Sequence, residues 1–107
     1  MPLAGSPQNQ IAAVAQGMLS GEVGIVEGCR RLVQLSSRLD EGDDGLFAPI
    51  VAVESETEDL PLGEARSLWS AEALASKDRE VSVYLGQVGE TVLEVCRTLV
   101  KRYAAAE

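Results

Sequence analysis

The chain has 107 residues, 46% of them apolar, only four of them aromatic, and a formal net charge of −8. This length suits one hydrophobic core, so we expect a single domain over residues 1–107. Histidine is absent, which excludes His-dependent catalytic triads and Cys/His zinc sites, and the negative charge disfavours nucleic acid and anionic membranes as partners. A core of Val, Leu, Ile and Ala favours an all-α fold, a small helical bundle.

The first helix is predicted from about Pro7 to Leu19. Ser6 is a suitable N-cap, and proline is favoured at the first helical position. Apolar residues follow at spacings of three and four, namely Ile11, Val14, Ala15, Met18 and Leu19.

A second helix is predicted after Ser20, with that serine as its N-cap, and should end near Leu39 where a turn-rich acidic segment begins. Its apolar stripe comprises Ile25, Val26, Cys29, Leu32, Val33, Ser36 and Leu39. Gly21, Gly24 and Gly28 recur at helical spacing, which indicates either the close approach of another helix or frayed first turns.

Residues 46–60 fit either a helix or a short strand. Their apolar positions suit one helical face, yet residues 49–53 are rich in β-branched side chains. We predict a helix from about Ala48 to Glu58 with Pro49 in its first turn, ended by Leu60 because the residue before a proline avoids the helical region.

The last helix is the clearest pattern in the chain and is predicted from about Lys77 to Ala105, capped by Ser70 or Ser76. Gly86 and Gly89 interrupt it and indicate a bend or a close crossing. Its apolar seam has the heptad-like intervals 4, 3, 4, 3 and 4, formed by Val81, Leu85, Val88, Val92, Val95 and Leu99, with Cys96 and Tyr103 beside it.

The two cysteines, Cys29 and Cys96, each lie in an apolar helical stripe and do not form a Cys-x-x-Cys pair. We therefore interpret both as small core residues, in preference to a redox pair. No apolar run is long enough to span a membrane and no secretory signal is apparent at the start, so we expect a cytoplasmic protein.

Nine of the seventeen carboxylates lie between Asp40 and Glu64, a segment without Lys or Arg. Within it, Asp40, Asp44 and Gly45 match positions of a calcium loop, but Val51 stands where the bidentate glutamate is required. The loop is therefore interpreted as a solvated turn, and neither a metal nor a cofactor is predicted.

Glu54 and Glu58 would lie one turn apart on a helix, a spacing that can ligate a hard cation. Ferritin-like sites also need Glu-x-x-His motifs, which this chain lacks. Ser55 followed by Glu58 also matches a capping box, which would engage both side chains locally.

Arg66 and Trp69 are three residues apart and therefore neighbours if this segment is a helical turn. The favoured interpretation is structural: Arg66 pairs with a preceding carboxylate and Trp69 fills the end of the core. The alternative is an exposed anchor for a partner, because both residue types are enriched in interface hot spots.

The segment from Val53 to Trp69, with its Ser-Glu-Thr, Leu-Pro-x-Gly, Arg and Trp elements, resembles a family of small uncharacterised bacterial proteins. This resemblance implies a bacterial origin and a helical fold, and it implies no activity. It draws attention to Ser55, Glu56, Thr57, Pro61, Gly63, Arg66 and Trp69.

We expect a non-enzymatic module that binds a basic protein through an acidic surface, for example an immunity or antitoxin-type inhibitor. A homo-oligomer paired through the last helix is the alternative, and a carboxylate-dependent metal enzyme is less favoured. The candidate binding residues are Asp43, Asp44, Glu54, Glu56, Glu58, Asp59, Arg66 and Trp69.

Overall fold

The computed structural model describes residues 6–39 and 45–104. In chain order these form α1 (Pro7–Ser20), α2 (Ile25–Ser36), α3 (Ala48–Glu56), a 3₁₀ helix (Gly63–Leu68) and α4 (Ala71–Tyr103). The described residues contain no β-strand, so the predicted all-α class is confirmed. None of the described helices combines the length and hydropathy needed to cross a membrane.

Capping residues at both ends define the first helix. The Ser6 hydroxyl accepts a hydrogen bond from the Asn9 amide at 3.2 Å, and Gly21 ends the helix with a φ of +88°, a conformation that favours glycine. The predicted N-cap role of Ser20 is wrong: Ser20 is the last residue of α1, and Gly24 is the N-cap of α2. Gly21 and Gly24 therefore lie between the helices.

Gly28 allows α1 and α2 to approach closely. The side chain of Met18 lies where a Cβ on Gly28 would stand, so close approach is the correct interpretation at this glycine. On α4, Gly89 is buried with the Ile25 side chain 3.7 Å from its would-be Cβ, whereas Gly86 is exposed with no such neighbour within 4 Å. A distance of 3.7 Å is ordinary van der Waals contact, so neither α4 glycine is required by a close crossing.

Two helices end earlier than predicted. α2 ends at Ser36, where the hydroxyl donates to the Val33 carbonyl at 2.8 Å, and the chain continues in turns to Leu39. α3 ends at Glu56, and the buried hydroxyl of Thr57 donates to the Val53 carbonyl at 2.6 Å. Serine and threonine compete for backbone carbonyls in this way at helix ends. Residues 46–60 contain the predicted helix and not the alternative strand.

The last helix starts six residues earlier than the predicted Lys77, because Ser70 supplies the N-cap and accepts from the Ala73 amide at 3.1 Å. Its first buried residue is Val81. The three turns before Val81 consequently lie beyond the main core, beside the 3₁₀ helix.

The core is shared by all four α-helices. α4 packs mainly on α1, α1 packs on α2, and α3 lies against α2 and α4. The predicted seam is confirmed as the α4 contribution: Val92 and Leu99 are fully buried, and Leu85 and Val88 are half-buried against the same cluster. Because the seam is covered within one chain, it is not open for the two-fold pairing considered above.

Both cysteines are confirmed as core residues. Cys29 and Cys96 are fully buried free thiols, and the Sγ of Cys96 lies 3.7 Å from the Sδ of Met18. Burial raises the pKa of the Cys29 thiol from 9.0 to about 12 and that of Cys96 to about 11. Thiols so placed are protonated and weakly nucleophilic near neutral pH.

Candidate functional site

Most of the residues predicted to bind a partner lie in or beside the segment between α3 and α4, residues 57–70, here called the connector. Leu60 and Pro61 anchor it, since both are buried, and Leu60 forms a small apolar cluster with Val26 and Val81. The 3₁₀ helix within the connector has no buried residue. The connector is thus attached to the protein at its start and presents its second half to solvent.

Arg30 of α2 fixes the start of the connector. Its Nη2 atom donates to the carbonyl of Thr57 at 2.6 Å and to that of Leu60 at 2.7 Å. A cation at the C-terminal end of α3 donates to carbonyls that have no donor within the helix. It also interacts favourably with the partial negative charge that the helix dipole places at this end. Arg30 was not among the predicted site residues. The one indication in the sequence is that Thr57, and not a glycine, directly follows α3, so that its end needs another donor.

Lys77 of α4 also holds the start of the connector, because it binds Asp59, which lies between the two residues that Arg30 binds. Its ammonium lies 2.6 Å from the Asp59 carboxylate and 3.2 Å from that of Glu80, and the Lys77 side chain is only 16% exposed. The hydrogen bond from Lys77 lowers the pKa of Asp59, and the bond to Asp59 raises the pKa of Lys77. Asp59 is therefore a structural partner as well as a predicted site residue.

Arg66 pairs with a different residue from the one predicted. Its Nη2 atom lies 2.7 Å from the Asp78 carboxylate on α4, and its Nη1 atom donates to the Pro61 carbonyl at 3.2 Å. The predicted pairing with a preceding carboxylate is wrong because the 3₁₀ helix directs Arg66 towards the first turns of α4. The acid that Arg66 binds is Asp78, twelve residues later in the chain.

Trp69 does not fill the core. It is 38% exposed, and the preceding Leu68 is 86% exposed. Trp69 is not among the residues of the core cluster, whose buried members are aliphatic side chains, Met18, the two cysteines and Tyr103, so the structural interpretation of Trp69 is wrong. Of the two interpretations given above, an exposed anchor is the one compatible with this position.

The described carboxylates in and beside the connector are not grouped as metal ligands. Glu54 is in α3 and Glu58 lies beyond its end, so the predicted pair does not share a helical turn. Ser55 is in the last turn of α3, so the predicted capping box is also wrong. No group of three or more Asp, Glu or Cys able to hold a metal occurs in residues 6–39 and 45–104. Asp43 and Asp44 lie outside the described residues.

Four acids in and beside the connector remain without an ion pair to any described residue, namely Glu56, Glu58, Glu64 and Glu72. All four are exposed. Glu56 borders a cleft of about 190 Å³ with Glu80, Val81 and Tyr84. Burial, followed by the charge of Glu56, raises the pKa of Tyr84. Thr57 and Lys77 also line the cleft, but the Thr57 hydroxyl donates to the Val53 carbonyl and the Lys77 ammonium is paired with Asp59 and Glu80.

Comparison with protein-family models, with curated proteins and with solved structures gives no match. The resemblance to a bacterial family therefore stays a prediction.

Proposed function

We propose that the protein is a non-enzymatic interaction module whose connector binds a basic partner protein. The observation that carries this proposal is the exposure of Leu68 and Trp69 on a segment held by Arg30, Lys77 and Arg66. A large apolar pair on a fixed backbone contributes to binding with little ordering cost, because the segment is already in one conformation.

The charges around this apolar pair favour a cationic partner. Glu64 and Glu72 flank Leu68 and Trp69 in sequence, and both are exposed and without an ion pair to a described residue. Unpaired surface carboxylates accelerate the encounter with a basic protein and oppose association with an acidic one. An apolar centre with an acidic rim matches the organisation of a specific protein interface.

The concrete form of the proposal is a bacterial, cytoplasmic inhibitor of the immunity or antitoxin type. Such a protein covers a basic surface of its target, and long-range attraction speeds capture of the target. The homo-oligomer alternative loses its main support, because the α4 seam is buried within one chain.

The test uses the full chain as bait in an extract of its native host, followed by measured binding of the purified candidate partner. Replacing Leu68 with Ala should weaken binding and leave the melting temperature unchanged, since this side chain is 86% exposed. Replacing Trp69 with Ala as well should weaken binding at least tenfold in total and lower the melting temperature moderately, because part of the indole is covered. The control is Val83→Ala, which removes an exposed apolar side chain from α4.

The electrostatic part is tested with the double variant Glu64→Gln and Glu72→Gln. The association rate should fall and its salt dependence should flatten, whereas Glu22→Gln with Glu94→Gln, an equal charge change at two exposed acids without an ion pair to a described residue, should change both less. Asp59 is retained because it pairs with Lys77. A captured partner that binds both sets of variants like the parent would refute the proposal.

A further inference from the structure

A groove of about 470 Å³ lies between α1 and α2, away from the connector residues. Its apolar surface is formed by Ala13 and Val14 of α1 and by Leu35 of α2. Arg31 and Arg38 stand along its α2 side. The volume is within the range of sites that bind small molecules, roughly 300–1,000 Å³.

The described residues that line this groove carry charge of the opposite sign to the net charge of the protein. The chain carries a net charge of −8, yet the described residues that line the groove include two arginines and neither Asp nor Glu. Arg31 pairs with Glu27 at 2.6 Å, whereas Arg38 makes no ion pair with a described residue. A guanidinium beside an apolar surface is suited to a carboxylate, which it can bind through two parallel hydrogen bonds.

We propose that the groove binds a small amphipathic carboxylate, with its acid group at Arg38 and its aliphatic or aromatic body on Ala13, Val14 and Leu35. The amide of Gln34, which also lines the groove, supplies a neutral donor beside the acid group. The apolar body is needed because a solvent-exposed ion pair alone contributes little affinity. The charge is needed because it selects an acid over an amine of the same shape.

The probe is sodium octanoate, titrated into ¹⁵N-labelled full-length protein and followed by backbone amide shifts. Saturable shifts are expected at Val14, Gln34, Leu35 and Arg38. Acetate, which lacks the apolar body, and octyltrimethylammonium, which has the opposite charge, should give no saturable shifts at these residues.

Two variants test the two parts of the site, and each has a matched control. Arg38→Gln should weaken octanoate binding about fivefold, whereas Arg79→Gln, an equal charge change at an exposed site on α4, should not. Ala13→Glu places a carboxylate and extra bulk in the groove and should abolish binding. Gln16→Glu adds the same charge at another exposed position of α1 and should leave most of the affinity.

Melting curves of the four variants establish that each is folded, which is expected because all four positions are exposed. Absence of saturable binding to the parent would overturn the proposal. So would octanoate binding that neither Arg38→Gln nor Ala13→Glu weakens, or equal binding of octyltrimethylammonium. Shifts produced by an acidic amphipathic peptide and not by octanoate would reject the small-molecule ligand in favour of a protein one.

Discussion

Arg66 and Asp78 form an ion pair of 2.7 Å that joins the 3₁₀ helix to the first turns of α4. Both side chains are partly exposed, at 35% and 47%, and the hydrogen bond to Asp78 raises the pKa of Arg66. The pair fixes the segment that presents Leu68 and Trp69. It therefore links the stability of the connector to the proposed binding surface.

Removing Arg66 and Asp78 in a double-mutant cycle should reveal coupling. Each alanine substitution should lower the free energy of unfolding slightly, and the double substitution should cost less than the sum of the two. A control cycle combines Arg66→Ala with Glu58→Ala. Its effects should be additive, because Arg66 does not bind Glu58. Urea unfolding measures all the variants, and additivity at Arg66 and Asp78 would contradict the observed pair.

Arg30→Met should destabilise the protein by about 2–3 kcal/mol. The substitution keeps an apolar stem of similar length but removes the guanidinium bonds to the carbonyls of Thr57 and Leu60, of which the Thr57 carbonyl keeps the Leu60 amide as a donor at 3.0 Å. Arg31→Met is the matched control, since Arg31 forms only an exposed ion pair with Glu27 and should change stability by less than about 0.5 kcal/mol. Equal effects of the two substitutions in urea unfolding would argue against the role of Arg30.

Val92→Asp should destabilise the protein by about 3 kcal/mol or more, because it places a carboxylate without a partner in the middle of the core. Val83 lies on the same helix but is 66% exposed, so Val83→Asp should leave the melting temperature within a few degrees of the parent. Thermal unfolding followed by circular dichroism distinguishes the two. A small effect at Val92 would mean that α4 does not pack as described.

Gly28→Ala and Gly86→Ala should have opposite effects. A methyl group at Gly28 meets the buried side chain of Met18 and should cost about 1–2 kcal/mol after the helix-propensity gain is included. Gly86 is exposed with open space around it, so alanine there should stabilise the protein by about 0.5–1 kcal/mol. The denaturant midpoint of each variant shows whether the substitution raises or lowers the free energy of unfolding. Stabilisation by Gly28→Ala would exclude a tight contact with Met18.

The buried thiols should make stability depend on pH in the alkaline range. Unfolded cysteines ionise near pH 9, whereas burial raises the native pKa of Cys29 to about 12 and that of Cys96 to about 11. The native state therefore keeps protons that the unfolded state loses, and stability should fall as the pH rises from about 9 towards 12.

Replacing both cysteines with alanine should flatten this dependence, although the cavities created should lower stability at every pH. Urea unfolding of parent and double variant between pH 8 and about 11 measures the two slopes. The contribution of Lys and Tyr groups is common to both proteins and cancels in the difference. Identical slopes would show that the thiols are not buried in the native state.

Local chemistry was enough to predict α1 and the α4 seam. The hydroxyl of Ser6 and the ring of Pro7 act within one turn, and the alternation of Val92, Val95 and Leu99 needs no knowledge of the facing helix. The helical character of residues 48–56 was also correctly predicted. Boundaries were less accurate where several serines could serve as caps, as at Ser70 and Ser76.

The contacts of the connector could be established only from the tertiary structure. The partner of Arg66 is set by the direction in which the 3₁₀ helix meets α4, and the exposure of Trp69 is set by where the core is already full. Arg30 donates to carbonyls 27 and 30 residues away, a relationship that no local pattern contains. Caps and apolar periodicity arise from neighbours along the chain, whereas the partner of a charged side chain depends on which elements the folded backbone brings within hydrogen-bonding distance.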